Sequence, residues 1–343
     1  MDKQVGEVDA QGRVTWQKAA DASVGVDIPY RATGTLPSDW DKYRSYTYEF
    51  VDTLDPALTP DTASVKVEWV SKSGKALGDV TASARVSFSS ADHVLTVAFA
   101  DLKQTVPDAK ATDRLRLTYT CRLDPAKATA GMGDPNDNFI KIRYTRRRDG
   151  TGSLGESPED YARAFTWRIC LLKVDSDKKT LAGAVFRVRD AHGRYVRADG
   201  TATKDSDGAE VVTGKDGTAG IAGLDAGTYT VEEVSAPTGY GRLPGTFTVT
   251  IYHNLKDPQN VEIWARVAGN AAASLVRTDS QGGVAEVAVV NESAKAPFGK
   301  IPQTGDPIGC IPYVLGALGA AAIAAAVAAL RRGNGAGAPR GSE

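Results

Sequence analysis

Cysteine, histidine and surplus charge are all scarce in this chain of 343 residues. Three cysteines exclude a disulfide-dense scaffold, and no Cys/His spacing resembles a zinc site. His93, His192 and His253 stand far apart in sequence, which argues against a His-based metal or catalytic cluster. The 41 basic and 42 acidic side chains leave a formal net charge of −1. A nucleic-acid binder needs a basic surplus on one face, and an acidic disordered chain needs the opposite excess. There is no Ser/His/Asp order, no Gly-rich phosphate loop and no carboxylate pair with a substrate-binding context, so neither an enzyme nor a cofactor is expected. The opening MDKQVGEVDA lacks an apolar h-region and does not read as a signal peptide. Since an exported domain needs one, residues 1–15 are expected to be a truncated N-terminal segment.

What the chain does have is alternation. Runs such as residues 46–50 (YTYEF), 64–70 (SVKVEWV), 114–120 (RLRLTYT), 139–144 (FIKIRY), 246–252 (TFTVTIY) and 286–291 (EVAVVN) follow the period of a half-buried strand. Turn-forming stretches separate them, among them DPALTPD, GMGDPNDN and APTGYG. Many short strands with this punctuation predict an all-β protein of two tandem immunoglobulin-like sandwiches, divided near the Gly/Ser-rich residues 145–159. One segment differs. In residues 308–330, 19 of 23 side chains are apolar and none is charged, and Arg331 and Arg332 follow. Such a helix is long enough to cross a bilayer, with the arginines on the cytoplasmic side, so a C-terminal transmembrane helix with a short tail (331–343) is expected. The asymmetry keeps the bulk of the chain outside the membrane.

Immediately before that segment stands IPQTG: Ile301, Pro302, Gln303, Thr304 and Gly305. Pentapeptide, apolar span and arginines together resemble the cell-wall sorting signal of Gram-positive surface proteins, usually written LPxTG. The resemblance implies a sortase that cleaves after Thr304 and transfers the chain to an amine of the wall peptidoglycan or of another subunit. Ile301 in place of Leu conserves volume and polarity.

A second motif, YTVEEVSAPTGY (residues 229–240), resembles the E-box YxLxExxAPxGY of the collagen-binding B-type, prealbumin-like (SpaA-like) domains of pilins and adhesins. The likeness extends over residues 167–293. It implies an amide between Lys173 on the first strand and Asn291 on the last, assisted by Glu233. The chemistry suits those residue types. Desolvation disfavours the ammonium of a Lys buried among apolar groups and frees a nucleophilic amine. A buried carboxylic acid can polarise the Asn carbonyl, and positioning makes the attack effectively unimolecular. Ammonia leaves.

Residues 16–166 resemble, less closely, the isopeptide-forming fimbrial domain that often precedes a B-type domain. By that resemblance Lys18 is the amine and Asp52 the assisting acid. The family's second Asn falls at Arg146, which cannot form the bond, so either the first domain lacks it or Asn138 or Asn136 serves as acceptor. The surrounding features read as structure: Asp205 and Asp207 as part of a hairpin loop rather than a calcium loop, and Cys121 and Cys170 as free buried thiols.

These resemblances point to a structural pilin subunit on the Gram-positive cell surface, covalently attached to the wall. Its partners are sortase and either peptidoglycan or other pilin subunits, with the membrane holding the precursor. The alternative is a wall-anchored adhesin that binds a host extracellular-matrix protein. No YPKN-like pilin motif with its acceptor Lys is found, which leans toward a basal or accessory subunit or a backbone subunit lacking an N-terminal domain.

Overall fold

The computed structural model describes residues 1–9 and 11–294. The sorting motif 301–305, the apolar segment 308–330 and the tail lie outside the described residues. Among the described residues no helix is long and apolar enough to cross a membrane.

The described chain is all β apart from a few single turns, and forms two sandwiches. In the first, one sheet has the order Val14–Gln17, Asp2–Val8, Asp27–Thr35, Arg114–Leu123, Leu58–Val70, Ala76–Asp79. The facing sheet runs Ala19–Asp21, Asp160–Phe165, Asn136–Thr145, Tyr48–Leu54, Val94–Phe99, Arg85–Ser89. The expected division at residue 16 is therefore displaced. Asp2–Val8 is no separate segment but an interior strand, paired on one side with Val14–Gln17 and on the other with Asp27–Thr35. Its buried alternate positions, Lys3 and Val5, are the reason: they face the core. The expected turn at DPALTPD is also mostly strand, because Leu58–Val70 begins inside it and pairs with Arg114–Leu123. The register shifts between Thr118 and Thr120, and Ser64 Oγ accepts from the Thr120 amide at that bulge.

In the second sandwich a four-stranded sheet, Thr218–Leu224, Trp167–Asp175, Val284–Asn291, Ala273–Asp279, faces a larger one. The larger sheet is centred on Val185–Arg189, Gly227–Ser235, Thr246–Asn254 and Glu262–Ala268. The first strand, Trp167–Asp175, and the last, Val284–Asn291, are parallel neighbours. Parallel neighbours need a long crossover, and here nearly the whole domain is that crossover.

The sandwiches meet without a linker: Asp160–Phe165 ends the first and Trp167–Asp175 begins the second, with Thr166 buried between them. Backbone bonds stitch the seam, including Val24 N–H to Gly223 O (3.0 Å) and Met132 N–H to Ser280 O (3.0 Å). Asp21, from the first sandwich, accepts from the Trp167 indole Nε1 and the Ala226 amide, both at 2.6 Å.

Candidate functional site

Three inward rows in the second sandwich end in a polar residue. Along Trp167–Asp175 the inward positions Trp167, Ile169 and Leu171 lead to Lys173. Along Val284–Asn291, Val287 and Val289 lead to Asn291. Along Gly227–Ser235, Tyr229 and Val231 lead to Glu233. Period two puts each polar side chain where the core asks for an apolar one, and all three are buried.

The resulting group is compact. Glu233 Oε1 accepts from Asn291 Nδ2 at 2.8 Å and lies 4.0 Å from Lys173 Nζ. Its other oxygen accepts from the Leu243 amide (2.6 Å), which fixes the carboxyl's orientation. Lys173 Nζ donates to Val289 O at 2.8 Å, one inward position from Asn291 on the same strand. Asn291 Oδ1 has no hydrogen-bond partner among the described residues. Burial pushes the Lys173 amine down to about 8, against the opposing pull of Glu233. The rest of the E-box holds the end of the chain. Tyr240 OH donates to Asp175 Oδ2 (3.0 Å), and Gly239, at φ 90°, turns the backbone so that its carbonyl accepts from the Ala294 amide (2.8 Å).

The first sandwich has an equivalent group, though not around Lys18. Lys18 is partly exposed and bonds to Asp160 (2.6 Å) and to the Lys3 carbonyl (2.7 Å). The buried amine is Lys3. Its Nζ lies 2.6 Å from Asp52 Oδ2 and 2.7 Å from the Tyr119 hydroxyl, and stands over the rings of Tyr30 (5.1 Å) and Tyr119 (4.9 Å). Lys3, Asp52 and Asn138 are fully enclosed. The Tyr119 hydroxyl also donates to Asp52 Oδ2 and accepts from Asn138 Nδ2 (2.8 Å), so it touches all three. Burial lowers the Lys3 amine and raises the Asp52 carboxyl, each opposed by the other's charge. Of the two candidate asparagines, Asn136 is spent on backbone, donating to Ala164 O (3.0 Å) and Thr129 O (3.2 Å), while Asn138 faces the cluster. Arg146 is exposed beyond the strand end. Sequence reasoning missed Lys3 and Tyr119. Their signal was alternation: Lys3 shares an inward row with Val5, and Tyr119 one with Leu115, Leu117 and Cys121.

Of the two thiols outside the apolar segment, Cys121 is buried near the Lys3 cluster and Cys170 is only half-buried; both are free. Asp205 and Asp207 lie in the turn region between Ala202–Thr203 and Glu210–Val212. The fold does gather one His–carboxylate cluster that sequence distance concealed. His253 Nε2 lies 3.1 Å from Asp21 Oδ1 at the seam, with Glu7 alongside. Burial, then Asp21, pushes the Glu7 carboxyl up to about 7, and the same two causes raise Asp225. Burial opposes the charge on His253, yet bonding to Asp21 raises its affinity for a proton overall.

Comparison with known proteins gives this architecture a context. Residues 168–263 match the SpaA family, a prealbumin-like fold domain. A trypsin-resistant surface T6 protein of Streptococcus pyogenes is 24% identical over 245 residues, covering 66% of this chain. The chain spans 42% of the length of that curated relative. The pilus 2b backbone protein of group B streptococcus superposes with a TM-score of 0.59 at 22% identity, over 81% of this chain and 96% of that one. The T6 backbone pilin of serotype M6 Streptococcus pyogenes does so with a TM-score of 0.56 at 20% identity, over 85% and 69%. The fold is thus the tandem-sandwich fold of Gram-positive pilins, with a SpaA-type domain second.

Proposed function

We propose that the protein is a structural pilin subunit of a Gram-positive cell surface, hardened by one amide cross-link in each sandwich. The observation that carries this is the enclosed Lys173–Glu233–Asn291 group on the first and last strands of the second domain. A buried Lys–Glu pair is a poor stabiliser by itself, because removing the two charges from water costs several kcal/mol per ion. A reactive role accounts for its presence.

The chemistry is a transamidation. The neutral Lys173 amine attacks Asn291 Cγ, and Glu233 takes the amine proton and returns it to the departing Nδ2. Ammonia leaves, an amide remains, and Glu233 is unchanged. In the first sandwich Lys3 is the amine, Asn138 the acceptor and Asp52 the acid. The chain acts once on itself and turns over no substrate. The names of its relatives support assembly with other pilin subunits, and the IPQTG sequence supports joining at Thr304 by a sortase, to a neighbouring subunit or to peptidoglycan.

The mechanical reading follows from connectivity. Once Lys173 and Asn291 are joined, residues 174–290 lie inside a covalent loop, and tension applied at the domain's ends passes through the cross-link instead of the sheet. Intact mass tests the proposal. The purified chain falls short of its sequence mass by two ammonias, and Glu233→Ala and Asp52→Ala each restore one. A wild-type mass equal to the sequence mass rejects it.

A further inference from the structure

The two candidate cross-linking groups differ in how the acid reaches the acceptor. In the second sandwich Glu233 Oε1 contacts the Asn291 amide nitrogen directly, at 2.8 Å. In the first, Asp52 Oδ2 is engaged by Lys3 Nζ (2.6 Å) and by the Tyr119 hydroxyl. The side-chain bond of Asn138 goes to Tyr119 (2.8 Å), and among the described residues Asn138 Oδ1 is without a hydrogen-bond partner. One phenol stands between the acid and the atom that must leave.

We propose that Tyr119 is a catalytic residue of the first sandwich, a proton relay between Asp52 and the departing nitrogen of Asn138. This rests on the reading that Lys3 and Asn138 become joined. The neutral Lys3 amine bonds through Nζ to Asn138 Cγ, and the surplus proton of the adduct passes to the Asp52 carboxylate. As the tetrahedral adduct collapses, its amine nitrogen takes the Tyr119 hydroxyl proton, and Asp52 replaces that proton on Tyr119. The C–N bond to Nδ2 breaks and ammonia leaves. Both Asp52 and Tyr119 end as they began, so no co-reactant is needed. Burial first, then Asp52, raises the phenol's proton affinity well above normal, so Tyr119 hands on a proton only as it gains another. Its ring is held for the task, stacked on Tyr30 with centroids 5.7 Å apart and an interplanar angle of 15°.

Tyr30 supplies the control. It is equally enclosed in the same stack, but its hydroxyl has no hydrogen-bond partner among the described residues. The test follows cross-link closure by intact mass after refolding from denaturant, on the full chain carrying Glu233→Ala so that only the first sandwich reports. Tyr119→Phe should slow closure by about 100-fold, within the usual range for general acid–base assistance, while Tyr30→Phe closes at the parental rate. Equal rates for Tyr119→Phe and its parent overturn the relay and leave the cross-link standing. A parent chain that never loses ammonia overturns the cross-link and the relay together. Should Tyr119→Phe fail to fold, 3-fluorotyrosine at position 119 keeps the shape and changes the phenol's acidity. A closure rate and pH profile unaltered by fluorine reject the relay.

Discussion

Each sandwich buries a lysine, an asparagine and a carboxylic acid, aspartate in the first and glutamate in the second, and places them differently. In the first, Lys3 lies in one sheet while Asp52 and Asn138 lie in the other, so the proposed amide spans the gap between sheets. In the second, Lys173 and Asn291 are on adjacent parallel strands of one sheet, and the acid, Glu233, reaches across from the facing sheet. The first proposed bond would clamp two layers together. The second would weld the two ends of the domain and take the core out of the load path. The cost of an unreacted site differs as well. Lys3 is paired at 2.6 Å with Asp52, whereas Lys173 and Glu233 stand 4.0 Å apart. In the first group amine and acid are in direct contact, whereas in the second the acid is bonded to Asn291 and the amine to Val289 O.

The largest effect expected from breaking this comparison is on the second sandwich. Glu233→Ala leaves Lys173 unjoined and makes residues 167–293 sensitive to protease. By the chain-entropy argument developed for disulfides, loss of a loop of this size costs about 4–5 kcal/mol. Thermal unfolding and limited proteolysis measure it, and unchanged resistance counts against the assignment. Next comes the identity of the first amine. Lys3→Ala should abolish cross-linking in the first sandwich, while Lys18→Ala should leave the ammonia deficit unchanged and remove a partly exposed ion pair worth at most about 1 kcal/mol together with a bond to the Lys3 carbonyl. The opposite pattern restores Lys18 as the amine.

A pH series sharpens the contrast. With its amine at about 8, Lys173 is roughly one-tenth neutral at pH 7, against about one part in three thousand for an ordinary lysine. Closure of the second sandwich after refolding should therefore accelerate about tenfold for each pH unit below 8 and level off above it. A rate independent of pH between 6 and 8 is inconsistent with attack by the free amine.

The smallest effect concerns the seam. The Glu7 carboxyl, normally near 4.5, is raised in the folded chain to about 7, so the fold binds a proton that the unfolded chain has released. Its contribution to stability is present in acid and is lost as pH climbs from about 4.5 through 7. His253, also raised when folded, contributes below its ordinary value and loses that contribution as pH rises through its folded one. Both act in the same direction. The melting temperature should fall between pH 5 and 8, and Glu7→Gln should flatten the slope. A slope unchanged by that substitution assigns the dependence elsewhere.

The second site was the more legible in sequence because its residues are tied to turn chemistry. The APTGY segment marks a turn after Gly227–Ser235 and carries the E-box resemblance, which implies roles for Glu233, Lys173 and Asn291. Asp52 and Asn138 in the first sandwich also emerged from a family resemblance. Its lysine did not. Lys3 and Lys18 are both adjacent to strand-like runs, and only sheet pairing shows that one faces the core and the other Asp160. The His253–Asp21–Glu7 cluster was hidden for the same reason, since 232 residues separate His253 from Asp21 and only the docking of two sandwiches closes that distance.

Sequence alone determined the all-β architecture and the IPQTG pentapeptide, because the first is written in period-two alternation and the second in adjacent residues, while Lys173, Glu233 and Asn291 were named through the E-box resemblance. Tertiary structure alone decided which lysine is buried, that Tyr119 stands between acid and acceptor, and that the two sandwiches share a hydrogen-bonded seam. Those outcomes depend on which strands pair and which faces are covered. Burial, the first cause of the shifted proton affinities of Lys3, Asp52, Tyr119, Lys173 and Glu7, belongs to the packed chain and not to any segment of it.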